Sequence, residues 1–200
     1  MKINRKIKNL TIIALGVMLL NIFVGAYTNK LPEKILVNTE KSKIAQVKYG
    51  RYDINAKRIY AENENIILYC LEIDKGYPAN HTFILERDAE KEISSIIAAG
   101  YPSKDPEELN VKNENEAYFA TQIAIWSYLE GYDINAITGE DINIVNAIRQ
   151  IYNEGMSYSH PIKTINKVYI SNNNSIQNLV AIFKPAQLGW NSKCVDKFLN

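Results

Sequence analysis

The pattern of hydrophobic and polar residues predicts strands near both ends of the chain and helices between them. Short alternating segments occur within residues 45–61, and residues 66–73 form the clearest strand because they are rich in β-branched and aromatic side chains. Alternation returns at residues 163–170 and 177–184, and residues 172–175 (Asn-Asn-Asn-Ser) indicate a turn between them. Strands segregated from helices favour an α+β fold. We therefore expect an antiparallel sheet system, sandwich-like or barrel-like, with an inserted three-helix subdomain.

Three helices with apolar stripes are predicted in the middle of the chain. Asp88 is the expected N-cap of the first helix, which ends at Gly100. The second helix covers about residues 116–130. The third begins near Thr138, with Asp141 three residues later as part of a capping box.

The second helix carries a polar residue in an unusual position. At about 100° per residue, Gln122 lies in the centre of a stripe of large apolar side chains: Tyr118, Phe119, Ile125, Trp126 and Leu129. An amide buried there without a partner would cost about 1–3 kcal/mol. A hydrogen bond to a neighbouring backbone group is one interpretation, and a chemical role for Gln122 is the other.

The first 26 residues have the pattern of a secretory signal peptide. Residues 2–8 are basic, residues 10–24 are mostly apolar, and residues 24–26 (Val-Gly-Ala) suit a signal peptidase. The apolar run is shorter than the roughly 20 residues of a membrane span, although an uncleaved N-terminal anchor is the alternative. Either way, we expect the remainder outside the cytoplasm, and residues 193–200 resemble neither a second span nor a wall-sorting signal.

Composition and charge exclude several classes of protein. The chain has 200 residues, of which 46% are hydrophobic and 22% charged, so it is neither disordered nor collagen-like. Its formal net charge is +1; without the signal peptide, 19 basic residues stand against 22 acidic ones, a net charge of −3. This balance argues against binding of nucleic acid. Two histidines and two cysteines in no cluster predict no metal site and no cofactor.

The two cysteines allow two interpretations in an exported protein. A disulfide between Cys70 and Cys194 is the default, and the chain would then be a non-covalent secreted binding module. A Cys–His hydrolase that pairs Cys70 with His81 or His160 is the other.

A third interpretation rests on two short segments. Residues 69–71 (Tyr-Cys-Leu) on a strand, followed by residues 121–126 (Thr-Gln-Ile-Ala-Ile-Trp) on a helix, resemble the thioester domains of Gram-positive surface adhesins. The signature of that family is an aromatic residue or Leu, then Cys and an apolar residue, and later Gln-x-Ala-apolar-Trp. Residues 97–102 and 177–180 also resemble family segments, so the resemblance covers about residues 45–184.

The resemblance implies an internal thioester between Cys70 and Gln122. The sulfur would attack the side-chain amide and release ammonia; a free thiol with a pKa of about 8.5 provides a modest thiolate fraction at neutral pH. A lysine amine of a host protein, of the fibrinogen or matrix class, would then form an isopeptide bond. Such a domain is a single-use covalent tether and not an enzyme. The expected supporting residues are Tyr69, Thr121, Ala124 and Trp126, with Trp126 as the shield against water.

The expected organisation is a signal peptide (1–26), a linker or first-strand region (27–44), a thioester domain (45–185) and a tail of unclear role (186–200). Thioester domains usually lie at the tip of longer, wall-anchored proteins. The end of the sequence at residue 200 is therefore interpreted as either a truncated form or a freely secreted product.

Overall fold

The computed structural model describes residues 31–62 and 66–184. The strands are β1 (Lys34–Tyr49), β2 (Tyr52–Ala61), β3 (Ile67–Cys70), β4 (His81–Asp88), β5 (Ile137–Thr138), β6 (Ile165–Ser171) and β7 (Leu179–Phe183). The α-helices are α1 (Lys91–Ala99), α2 (Glu114–Leu129) and α3 (Ile142–Met156), and a short 3-10 helix, Ile134–Ala136, precedes β5.

Within the described residues, all seven strands belong to one sheet. The strand order is β2-β1-β4-β6-β7-β3, every pair is antiparallel, and β5 pairs with β1. The strands at the two ends of this order, β2 and β3, also contact each other, so the sheet curls toward a barrel. The three α-helices lie between β4 and β6 in the chain. The predicted α+β class with an inserted helical subdomain is confirmed.

The first hairpin is longer than the alternating pattern indicated. Strand β1 begins at Lys34, inside the region 27–44 that we expected to be a linker or first strand. It turns into β2 at Gly50, whose φ of 58° is a left-handed conformation that glycine adopts without steric cost. Both strands of this hairpin contact α2, so they form part of the wall behind the central helix.

The prediction that Asp88 caps the first helix is wrong. Helix α1 begins at Lys91, and its N-cap, Glu90, makes no side-chain capping bond. Asp88 instead ends β4, opposite Lys167 of β6, and its carboxylate accepts a hydrogen bond from the Lys167 ammonium at 2.5 Å. The Ala89 N–H also donates to the Asn166 carbonyl. Sheet pairing therefore holds this segment extended past the predicted cap.

The predicted start of the third helix is also wrong, for a similar reason. Thr138 lies in β5 and pairs with Lys48 of β1, so its backbone is extended. Helix α3 begins at Ile142, and Asp141 is its N-cap, with a side chain that accepts a hydrogen bond from the Asn143 N–H. Asp141 is thus the capping residue and not the third residue of a capping box.

Helix α2 lies at the centre of the molecule. It contacts α1, α3, β1 and β2, and every residue from 117 to 127 is buried. The small residues on the face opposite Gln122, namely Ala117, Ala120, Ala124 and Ser127, are therefore buried as well. The side chain of Asn113 caps the helix by accepting a hydrogen bond from the Glu116 N–H.

The predicted signal peptide and the tail with Cys194 lie outside the described residues. Of the helices in the described part, none is both long enough and apolar enough to cross a membrane. Residues 31–62 and 66–184 contain no group of three or more His, Cys, Asp or Glu side chains that could hold a metal ion.

Candidate functional site

Cys70 is the last residue of β3, at one edge of the sheet. Strand β3 pairs on one side with β7, where Cys70 lies opposite Leu179. The Leu71 N–H donates to the Asn178 carbonyl at 2.9 Å, which makes Cys70 and Leu179 a non-hydrogen-bonded pair. The N–H and C=O of Cys70 therefore point away from β7, toward the side where the described sheet has no further strand.

The side-chain amide of Gln122 occupies the place that a further strand would take. The Cys70 N–H donates to Gln122 Oε1 at 2.8 Å, and Gln122 Nε2 donates to the Cys70 carbonyl at 2.9 Å. Both residues are only 1% exposed. These hydrogen bonds satisfy an amide that would otherwise be costly to bury. The backbone partner expected for Gln122 is thus Cys70 itself, so the two residues predicted to react lie together.

Helix α2 contacts the edge of strand β3 at two consecutive positions. Tyr118 lies one helical turn before Gln122, and its hydroxyl donates to the Leu68 carbonyl at 2.7 Å. Two residues of a strand advance about 6.6–6.8 Å, and four residues of a helix advance about 6 Å. The two spacings are nearly equal, so Tyr118 faces Leu68 and Gln122 faces Cys70. The Tyr118 ring also stacks on Tyr69, with centroids 4.6 Å apart, which aligns α2 along the edge of β3.

Two of the predicted supporting residues, Tyr69 and Thr121, hold the loop that follows α1. The Tyr69 hydroxyl donates to the Tyr101 carbonyl at 2.7 Å, and the Tyr101 N–H donates to Thr121 Oγ1 at 2.9 Å. The Thr121 hydroxyl in turn donates to the Ala117 carbonyl at 2.9 Å. A Cβ on Gly100 would lie 2.5 Å from Thr121 Oγ1, so the loop can approach the helix this closely only with glycine at that position.

The other two supporting residues, Ala124 and Trp126, are packed in the core. Ala124 is fully buried, and Trp126 is 2% exposed one helical turn after Gln122. The indole N–H has no hydrogen-bond partner among the described residues, so the side chain contributes apolar bulk. A shielding role for Trp126 stays a prediction.

Burial keeps the Cys70 thiol and the Tyr77 phenol neutral. It raises the pKa of the Cys70 thiol well above its usual range, and the nearby charge of Glu72 raises it further. This corrects the thiolate fraction that we expected for an unperturbed cysteine. Burial, followed by the nearby Cys70, also raises the pKa of Tyr77 to about 12. At neutral pH the site therefore holds a thiol and a phenol and not their anions.

The segment that follows Cys70 is fixed on both sides by residues that the sequence analysis did not single out. The Tyr77 hydroxyl accepts a hydrogen bond from the Lys57 N–H of β2 at 3.2 Å. The Glu72 carboxylate accepts hydrogen bonds from the backbone N–H of Asn178 at 2.5 Å and from its side-chain amide at 2.7 Å. These bonds fasten the segment to β2 and to the chain that enters β7.

Arg58 is half-buried and lies beside the site. Its guanidinium lies over the rings of Tyr101 and Tyr118, 5.9 Å and 5.3 Å from their centroids, and donates to Asn115 Oδ1 at 2.8 Å. Helical spacing alone predicts that Tyr118, four residues before Gln122, lies on the same face of the helix as Gln122. No sequence signal indicated Arg58, because its contacts depend on the curl that brings β2 toward β3.

Neither histidine of the hydrolase interpretation hydrogen-bonds Cys70. His81 Nδ1 lies 2.8 Å from the Ala79 carbonyl oxygen, and His160 Nε2 lies 2.7 Å from a Glu154 carboxylate oxygen. Cys70 is a free cysteine in the described part of the chain. Cys194 lies outside that part, so its pairing stays an open prediction.

A buried Cys on a strand edge, paired with a Gln on the facing helix, is the arrangement that the thioester-domain resemblance implied. That resemblance is confirmed: the model of the family described as "TED: Thioester domain" matches residues 67–157, the segment that contains both Cys70 and Gln122. No curated protein sequence matches the chain.

Solved structures of Gram-positive surface proteins share the fold. The thioester domain of the Enterococcus faecium TIE86 protein is 14% identical with a TM-score of 0.54, over 78% of this chain and 79% of that one. The N-terminal domain of the Streptococcus pyogenes pilus tip adhesin Cpa is 15% identical with a TM-score of 0.55, over 78% and 97%. The N-terminal thioester domain of fibronectin-binding protein SfbI from Streptococcus pyogenes is 16% identical with a TM-score of 0.53, over 76% and 94%.

Proposed function

We propose that this chain is an exported adhesin domain in which Cys70 and Gln122 form an internal thioester that captures a host amine. One observation carries the proposal: the Gln122 amide is held against Cys70 by two hydrogen bonds, at 2.8 and 2.9 Å, in a site where both residues are 1% exposed. A glutamine needed only for packing would not have to lie against the single cysteine among the described residues.

Thioester formation exchanges one bond at the Gln122 amide carbon for another. The Cys70 sulfur bonds to that carbon, the carbon–nitrogen bond breaks, and the thiol proton leaves with the nitrogen as ammonia. The Cys70 N–H that donates to Oε1 at 2.8 Å stabilises the negative charge that develops on this oxygen, as an oxyanion-hole donor does. The contact of α2 with β3 supplies the proximity that well-oriented groups need, worth effective molarities of about 10⁵–10⁸ M.

The surroundings of the thioester limit its loss to water. The site is buried, and its thiol and phenol groups are neutral at pH 7 because burial raises their pKa values. Because Cys70 and Gln122 are each only 1% exposed, water has little access to the bond. Trp126, one turn further along α2, completes this apolar surround.

The second step releases Cys70 and leaves the partner attached to Gln122. A lysine amine adds to the thioester carbon, the carbon–sulfur bond breaks, and the thiolate takes the proton that the amine loses. The product is a stable amide, so the reaction proceeds once. We propose a host extracellular protein of the fibrinogen or matrix class as the partner and a signal peptide at residues 1–26 as the route of export.

The test of the thioester is the intact mass of the purified mature protein. We expect a deficit of one ammonia relative to the sequence. Cys70→Ala and Gln122→Ala should each restore the full mass, and Cys194→Ser should keep the deficit. Cys70→Ala is the cleaner variant because both hydrogen bonds to Gln122 use the backbone of residue 70. Gln122→Ala leaves two buried backbone groups without those partners.

The test of the function is the uptake of an amine. Incubation with a small primary amine should add its mass at Gln122 and expose one new thiol at Cys70. The natural partner should form a complex that survives boiling in detergent and reductant, whereas Cys70→Ala should bind only reversibly. A wild-type protein that shows full mass, takes up no amine and has a freely labelled Cys70 would refute the covalent function. If only Cys194→Ser changed the mobility of the protein, the disulfide-linked binding module would replace it.

A further inference from the structure

Side chains bridge the space between β2 and β3, where two neighbouring strands of a closed sheet would pair directly. The strands alternate in direction along the order β2-β1-β4-β6-β7-β3, so β2 and β3, at its two ends, run antiparallel. They contact each other, but no backbone ladder joins them within the described residues. We call the space between residues 57–59 of β2 and residues 68–70 of β3 the β2–β3 gap.

Tyr118 shows how the two strands are aligned across the β2–β3 gap. Its hydroxyl donates to the Leu68 carbonyl at 2.7 Å and also hydrogen-bonds with the backbone of Ile59. Leu68 therefore faces Ile59. Because the strands are antiparallel, two residues forward along β3 correspond to two residues back along β2. Cys70 therefore faces Lys57.

The phenol of Tyr77 lies in the β2–β3 gap at the level of Cys70. Its oxygen accepts a hydrogen bond from the Lys57 N–H at 3.2 Å. The Gln122 amide occupies the same level, where it is bonded to the N–H and the carbonyl of Cys70 at 2.8 and 2.9 Å. Burial, and then the nearby Cys70, raise the pKa of Tyr77 to about 12, which agrees with this placement. The phenol, the thiol and the amide thus share one level of the β2–β3 gap.

The two phenols in the β2–β3 gap differ in the use of their protons. Tyr118 donates its proton to the Leu68 carbonyl. Tyr77 uses its oxygen as an acceptor, and no described residue accepts its proton. A phenol oxygen can accept and donate at the same time. Tyr77 can therefore take up a proton on its oxygen while it gives its own proton away.

We propose that Tyr77 relays the protons of the thioester chemistry, an inference that rests on the proposed function. In formation, the Cys70 sulfur bonds to the Gln122 amide carbon and the thiol proton passes to the Tyr77 oxygen. The proton that Tyr77 held passes to the amide nitrogen, the carbon–nitrogen bond breaks, and ammonia leaves. Tyr77 is a neutral phenol before and after this step.

Attack by an amine is the same exchange in reverse, with the amine in place of ammonia. The amine nitrogen bonds to the thioester carbon and gives one proton to the Tyr77 oxygen. The proton that Tyr77 held passes to the Cys70 sulfur as the carbon–sulfur bond breaks. A relay of this kind suits a buried site, because burial disfavours a free thiolate or ammonium ion there.

The test is the rate at which the purified mature protein, once its thioester has formed, takes up methylamine, measured as the growth of the adduct mass. Tyr77→Phe removes the relay and should slow uptake by about 10²-fold or more, as for other positioned acid–base groups. Tyr118→Phe is the matched control, because it removes the other phenol oxygen from the β2–β3 gap. Its proton is bonded to the Leu68 carbonyl, so its thioester, once formed, should react at the wild-type rate.

A second replacement separates proton transfer from support of the segment after Cys70. 3,5-Difluorotyrosine in place of Tyr77 keeps the hydroxyl that accepts from the Lys57 N–H but makes its oxygen less basic. Uptake should then be slower than in wild type and faster than in Tyr77→Phe. A Tyr77→Phe protein that is folded by circular dichroism but never acquires the ammonia deficit, while Tyr118→Phe acquires it, would also support the relay, because formation needs the same transfer.

The outcomes that overturn the relay differ from those that overturn the thioester. A wild-type rate in either replacement of Tyr77, or an equal slowing in Tyr118→Phe, would overturn the relay and leave the proposed function in place. A wild-type protein with no ammonia deficit would overturn the proposed function, and the relay with it.

Discussion

The hydroxyl of Tyr118 provides the sharpest test of how α2 is aligned with β3. Tyr118→Phe removes one oxygen and leaves the ring in place. The ring keeps its stack on Tyr69, so little apolar burial is lost. The Leu68 carbonyl, however, loses the hydrogen bond that it accepts at 2.7 Å in a buried position. The change therefore removes the contact of α2 with Leu68 and keeps the contact that Gln122 makes with Cys70.

The expected cost follows mainly from the unpaired Leu68 carbonyl, and the hydroxyl also loses its hydrogen bond with the backbone of Ile59. A buried acceptor left without its partner costs about 1–3 kcal/mol, and we expect the free energy of unfolding to fall by this amount. Thioester formation should also slow, since a misplacement of about 1 Å can cost about 10²-fold in rate. We expect formation in Tyr118→Phe to be at least about tenfold slower than in wild type.

Two assays separate these effects. Urea denaturation in the Cys70→Ala background measures stability without the cross-link, and the time course of the mass deficit in otherwise wild-type protein measures formation. Tyr128→Phe is the matched control in the same helix, because its hydroxyl makes only a 3.5 Å contact with Glu90 at the surface. If Tyr118→Phe matched Tyr128→Phe in both assays, the hydroxyl would have no part in aligning helix and strand.

Three further predictions concern the shield, the loop and the pH response. Trp126→Ala should lose about 3–5 kcal/mol of stability and let the thioester hydrolyse over hours, seen as a rising mass in a protein that stays folded; an unchanged hydrolysis rate would remove the shielding role. Gly100→Ala should lose about 1–3 kcal/mol in urea denaturation, because its Cβ would meet Thr121 Oγ1 at 2.5 Å; wild-type stability would contradict this close approach. The pKa of Tyr77 is about 12 in the folded protein against 10.0 in the unfolded chain, so its contribution to stability is present below pH 10 and is lost as pH rises through 12. Tyr77→Phe in the Cys70→Ala background should reduce this alkaline loss of stability, measured by urea denaturation at several pH values. An unchanged dependence of stability on pH would contradict the prediction.

The proposed reactive pair could be found from the sequence because Gln122 breaks a local pattern and both residues lie in segments that resemble the thioester-domain signature. Gln122 is polar within an apolar helical stripe, and Cys70 lies on a strand that is otherwise apolar and aromatic. Helical and strand periods place these residues on buried faces without knowledge of the tertiary structure. The sequence resemblance added that the two act together.

The sequence-based predictions were wrong or incomplete where contacts between residues distant in sequence determine the local structure. Asp88 and Thr138 have the residue types of a helix start, yet each is held extended by a strand from elsewhere in the chain. Arg58 and Tyr77 reach the site only because the sheet curls, and this curl cannot be predicted from the local sequence pattern. The raised pKa of Cys70 likewise depends on burial that several elements provide together.

The central position of α2 has a mechanical consequence for the proposed covalent attachment. After the proposed transfer, the partner is joined to Gln122 alone and Cys70 is free, so tension on the attachment enters the domain through α2. This helix contacts α1, α3, β1 and β2 and is buried from residue 117 to residue 127. A pulling force must therefore disrupt several packed elements together before the helix can be extracted. In the proposed product, the point of attachment thus lies on a buried helix that is packed against both helices and strands, and not on the short edge strand that supplies the sulfur.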